Sequence, residues 1–162
     1  MKTNSFLSCF VLVFLTACAG SGGATSSSTY SADVGTATSL DVKDKGSSFL
    51  DRQQYQVVRQ EETNELIYME THWRFRSPFE DEVELGVEEA RTRLFLRATP
   101  RGMRQQGLFS DISVVKLTAE NQVRYLGETA WRDAHMTPKL RSYLRKLSDD
   151  LSIVFRTGIR KF

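Results

Sequence analysis

The chain has 162 residues, with 22 Lys+Arg against 20 Asp+Glu and a formal net charge of +2 at pH 7. Nothing in that balance calls for nucleic acid, whose phosphates demand a strong cationic surplus. From Phe49 onward about 114 residues are enough to bury one core and too few for two.

In chain order, the first element is a targeting pattern. Lys2 precedes a largely apolar run of twelve residues, Phe6 to Ala17. A membrane-spanning helix needs about 20 apolar residues, so the run fits the apolar region of an export signal. It closes on Leu15-Thr16-Ala17-Cys18, followed by Ala19-Gly20. This tetrapeptide resembles the lipobox of bacterial lipoproteins, and the resemblance covers residues 1–18 only. It implies a signal peptide over 1–17, diacylglycerol on the Cys18 sulfur, and a second, palmitate-type acylation of the new N-terminus. Two or more chains make anchoring stable where one is marginal. Ala19 in place of Asp implies, for a two-membrane cell, the outer membrane with the domain facing the periplasm. Cys9 leaves with the signal and Cys18 is consumed, so no thiol remains for chemistry or disulfides.

Of the 30 residues from 19 to 48, 17 are Gly, Ser or Thr. Residues 18–48 are therefore expected to be a lipidated Cys and flexible tether, with Val34, Leu40 and Val42 as docking points at most. The folded domain is expected over 49–162.

Within that domain, Gln54–Gln60 and Glu65–Arg76 read as a hairpin around Thr63-Asn64. Ile67, Met69, Thr71, Trp73 and Phe75 alternate with polar residues, the period of a strand with one buried face. Ser77-Pro78-Phe79-Glu80 resembles a helix start, and Phe79, Val83, Val87 and Ala90 share a helical stripe interrupted by Gly86. Thr92–Thr99 is a third strand, ended by Pro100. Asp111–Thr118 is a fourth, which either runs on to Leu126 or turns at Glu120-Asn121. Thr137-Pro138 then starts a long helix with Leu140, Tyr143, Leu144, Leu147, Leu151, Val154 and Phe155 on one side, ended at Gly158. The order β-β-α-β-β-α implies an α+β domain: a small antiparallel sheet with a long C-terminal amphipathic helix on one face.

Chemistry-bearing residues are sparse. Glu70 and His72 offer two metal ligands, but zinc takes three or four, and no third is identifiable. His135 and Asp133 read as surface residues. There is no Gly-x-Ser-x-Gly elbow, and Ser110 and Ser113 have no base nearby in sequence. The expectation is therefore no catalytic residue, no metal and no cofactor. Charge is segregated: Glu61 to Glu89 carries ten acids and two arginines, whereas Arg91 to Arg104 carries five arginines and no acid. Either these neutralise each other in the fold, or they form a basic edge for an anionic lipid, lipopolysaccharide or an acidic partner. Arg101 and Arg104 are the candidate contacts for it. Trp73 and Trp131 are expected in the core. The leading functional expectation is a non-enzymatic, membrane-anchored adaptor or assembly subunit that docks an envelope protein. The alternatives are a lipid- or glycolipid-handling protein, by fold-level analogy with lipoproteins that assist lipopolysaccharide transport, and a hydrolase.

Overall fold

A computed structural model of the chain describes residues 28–101 and 112–156. Cys18, Arg104, Ser110 and Gly158 lie outside the described residues. The elements are β1 (Thr29–Thr38), α1 (Ser39–Asp41), a π-helical stretch (Val42–Gly46), α2 (Ser47–Arg52), β2 (Val57–Glu62), β3 (Ile67–Thr71) and β4 (Arg74–Arg76). They continue with α3 (Glu80–Val83), β5 (Val87–Pro100), β6 (Ile112–Tyr125), β7 (Arg132–Asp133) and α4 (Pro138–Arg156). The domain is α+β. One antiparallel sheet has the order β1-β6-β5-β3-β2, with β4 prolonging β3 along β5 and β7 pairing with β6.

One face of this sheet is covered. Leu94, Leu96 and Ala98 of β5 and Val115, Leu117 and Ala119 of β6 share a core with Phe49, Leu50 and Met69. From α4, Leu140, Leu144, Leu147, Leu151 and Phe155 complete it, each at most 3% exposed. Their three- and four-residue spacing puts all five on one helix face, and each contributes about 1.5–3 kcal/mol by leaving water. Thr137 caps α4, its Oγ1 accepting from Leu140 N at 3.4 Å. The acids of α3 add to that cap: Asp81 Oδ2 accepts from Lys139 N at 2.9 Å, and Glu80 pairs with Lys139 Nζ. Negative charge there suits the positive end of the helix dipole.

The segment expected as tether is corrected. Residues 29–38 form β1, paired with β6 from Thr29↔Glu120 to Thr38↔Ile112. Residues 39–52 continue as a helical stretch on the core face. Val34, Ala37 and Val42 are at most 1% exposed. Composition misled because a strand beside a helix needs small side chains: Ser, Thr, Ala and Gly alternate here as an extended chain, with a bulge between Asp33 and Gly35. Gly46 brings the helical stretch close to the sheet, since a Cβ there would meet Leu96 Cδ2 at 3.0 Å.

Two further expectations change. The helix expected over 79–90 is α3, only four residues long. Gly86, at φ +83°, reverses the chain, and Val87 and Ala90 lie buried in β5 instead. The strict alternation from Ile67 to Phe75 also breaks. An extra residue at His72-Trp73 separates β3 from β4 and flips the phase. Arg74 and Arg76 then pair beside Thr92 and Ala90 on the covered face, while Phe75 turns outward at 64% exposure. The hairpin is borne out, Thr63 N donating to Leu66 O at its turn. Of the two courses left open for the fourth strand, β6 takes the first, running past Asn121 to Tyr125 without a turn.

Candidate functional site: the open face of the sheet

The flipped phase of β4 explains the buried cluster at one end of the core. Arg76 Nη1 and Nη2 donate to the two carboxylate oxygens of Glu82, both at 2.6 Å. The side chains are 7% and 2% exposed. Arg76 also donates to Thr92 Oγ1 and Asn121 Oδ1, and Glu82 accepts from Phe79 N. Apart from Asn121 Nδ2, which makes no hydrogen bond, the polar groups face one another within the fold, so this cluster fastens α3 and β4 to β5 and β6. A second buried group is Tyr55, whose hydroxyl makes no hydrogen bond although Arg74 lies over its ring at 5.0 Å. Burial, with Tyr143 beside it, pushes the phenol pKa above its usual range.

The opposite face of the sheet has no covering element among the described residues. Residues pointing there from β5 are Arg91, Arg93, Phe95 and Arg97, which alternate with the buried Thr92, Leu94, Leu96 and Ala98. Rings and cations interleave along it. Tyr68 stacks on Phe95 at 6.2 Å. The Arg93 guanidinium lies over Phe95 at 5.0 Å and Trp73 at 4.7 Å. Arg91 lies over Trp73 at 4.8 Å and over Trp131 at 4.3 Å. Trp131 also meets Arg124 at 5.5 Å and Phe75 edge-on at 5.6 Å. Each such stack is worth about 0.5–1 kcal/mol at an exposed site, so the ladder holds the His72-Trp73 bulge and the Trp131 loop onto the sheet. Neither tryptophan belongs to the core, contrary to expectation; both are half-buried on this face.

The charges are mostly closed. Arg93 reaches Glu70 at 3.0 Å and Glu120 at 2.8 Å, and Arg124 reaches Glu89 at 2.5 Å. Arg91 differs. Its Nε and Nη2 both donate to the Gln122 amide oxygen, at 3.0 and 2.6 Å, and Gln122 in turn donates to Asp133. Burial and the like charge of Arg93 lower the Arg91 pKa. Burial, and after it the Glu70 carboxylate, raises that of Tyr68.

Arg101 is exposed at the end of β5, its backbone N–H bonded to Ile112 O at 3.0 Å. Glu70 does not act with His72: its carboxylate is taken by Arg93 and the Tyr68 hydroxyl. Among the described residues no three His, Cys, Asp or Glu side chains converge as a metal site. No described helix is long and apolar enough to cross a membrane. By composition the arginines form only a charge run, which hides the ladder. The spacing Arg91-x-Arg93-x-Phe95-x-Arg97 has the period of a strand and marks a single face.

No family model and no curated protein matches the chain. Its chemistry has to be read from its own surface. The open face supplies recognition groups: ring faces already stacked on guanidinium groups, and a large apolar side chain, Phe75, presented to solvent at 64% exposure.

Proposed function

We propose that the chain is a non-enzymatic lipoprotein of the cell envelope. Cys18 carries its lipid anchor in the outer membrane, and the domain docks a protein partner through the open face of its sheet. The observation that carries the docking is the arginine–aromatic ladder, which holds Trp73 and Trp131 half-buried and Phe75 exposed on a face that nothing described covers. Aromatic and arginine side chains are the groups enriched where proteins bind each other, because they combine large contact area with directional polar bonds. The Leu15-Thr16-Ala17-Cys18 motif supports the address.

Two experiments test this. A photoreactive amino acid placed at Phe75, activated in intact cells, is expected to give one discrete adduct with an envelope protein; repeated recovery of the chain without any adduct overturns the docking. Mass spectrometry of the native protein is expected to find Cys18 acylated, and Cys18→Ser to release the protein from the membrane fraction. An unmodified Cys18 overturns the address and leaves the docking to stand alone.

A further inference from the structure

Arg91 occupies a position unlike that of its neighbours. Arg93 and Arg124 each touch a carboxylate directly, whereas Arg91 touches only the Gln122 amide oxygen. Its guanidinium lies over the indoles of both Trp73 and Trp131, at 4.8 and 4.3 Å. Its Nε edge is closed by Gln122, and Nη1 has no hydrogen-bond partner among the described residues. What remains open is the end of the fork, where Nη1 and Nη2 point the same way. A planar carboxylate fits that end with one oxygen on each nitrogen.

Resting on the docking proposed above, we infer that Arg91 seats a single Asp or Glu carboxylate of the partner protein, with an apolar partner side chain against Phe75 beside it. Charge selects this occupant over a polyanion. Glu70 and Glu120 are spent on Arg93 and Glu89 on Arg124, which leaves Arg91 beside the two indoles as a cation without a carboxylate, a match for one negative group and not for a run of them. A phosphate-rich glycan or an anionic membrane brings many such groups at once; one carboxylate flanked by apolar residues brings one. Phe75, 5.6 Å from Trp131, supplies the apolar half of the match.

The chain has two tryptophans, both on this face, so fluorescence excited selectively at tryptophan reports on the site. The protein from residue 19 onward serves for the test, because among the described residues every buried core residue lies between Val34 and Phe155. The probes are two pools of capped heptapeptides without Trp or Tyr, identical except that the central residue is Glu in one and Gln in the other, with Leu, Val, Phe and Ser flanking. The Glu pool is expected to shift the emission at concentrations at least about tenfold lower than the Gln pool. That preference is expected to vanish in Arg91→Gln and, on the unaltered protein, as pH falls below the Glu pKa of about 4.3. The pH arm does not depend on the variant folding.

Equal response to both pools, no response to either at millimolar peptide, or an acid preference retained by Arg91→Gln each overturns the inference. So does a shift produced only by phosphatidylglycerol vesicles, which makes the occupant a membrane. Adducts from Phe75 in cells that persist while the peptide preference is absent sink the carboxylate seat and spare the docking.

Discussion

Removing one half of the Arg76–Glu82 pair tests whether that cluster is a buried unit. The two side chains are 7% and 2% exposed and meet through two bonds of 2.6 Å. Arg76→Met leaves the Glu82 carboxylate with the Phe79 N–H as its remaining donor, and Glu82→Leu leaves the Arg76 cation facing Asn121 and Thr92. An uncompensated buried charge costs about 3–5 kcal/mol, a large share of the roughly 5–15 kcal/mol that holds a domain together. The double variant strands neither charge. It loses the cap on Phe79 N, about 1 kcal/mol, and is expected to fall short of the parent by about 1–2 kcal/mol. Urea unfolding followed by circular dichroism, on the parent, both singles and the double, closes the cycle. Two costs that simply add, giving a double variant about 6–10 kcal/mol below the parent, would refute the reasoning. So would single costs near zero, which mark a pair already solvated.

The boundary of the domain is testable by truncation. A chain beginning at residue 28 is expected to give a cooperative unfolding transition, and one beginning at residue 49 none, because it loses β1 along with Val34, Ala37 and Val42; a folded second chain would restore the tether. Tyr55→Phe removes a buried hydroxyl without a partner and is expected to leave stability unchanged or raise it by up to about 1 kcal/mol. The same change bears on alkaline stability. The unfolded phenol releases its proton near pH 10.0 while the folded one holds it to higher pH, so the parent loses stability as pH rises above about 10, by at most about 1.4 kcal/mol per pH unit. Tyr55→Phe is expected to flatten that decline in thermal melts taken from pH 8 upward, and an unchanged slope would assign it to other groups. Gly46→Ala sets a helix-propensity gain of about 0.5–1 kcal/mol against overpacking of about 1–3 kcal/mol. Leu96, 1% exposed, has little room to retreat from a Cβ at 3.0 Å, so a net loss is expected in chemical denaturation, and a gain counts against the close approach.

Much of the architecture was legible where one periodicity governed a whole element. The leucines of α4 repeat at three and four residues without interruption, and β6 keeps its alternation from Ile112 to Tyr125. What failed to show was decided by contacts distant in sequence. β1 reads as polar spacer because its buried side reaches β6 and α4, which come much later in the chain. The stripe through Phe79, Val83, Val87 and Ala90 suits a helix, yet Gly86 at positive φ ends it and pairing with β6 claims the remainder. At His72-Trp73 a single extra residue exchanged inside for outside, sending Phe75 into water and Arg76 into the core. The open face was hidden for the same reason: Trp73 and Trp131 meet Arg91 across 18 and 40 residues, a meeting that no local pattern encodes.

The placement of β1 has a mechanical side. With the lipid at Cys18 as proposed, the segment entering the domain from the membrane is the edge strand itself, held to β6 over the register from Thr29 to Thr38. Any tug between the bilayer and a protein gripping the open sheet is transmitted through that ladder before it reaches the rest of the molecule. Drawn along the strand, all its hydrogen bonds resist together; drawn sideways from Thr29, they break in succession. Orientation at the membrane thus sets whether the mooring is strong or weak.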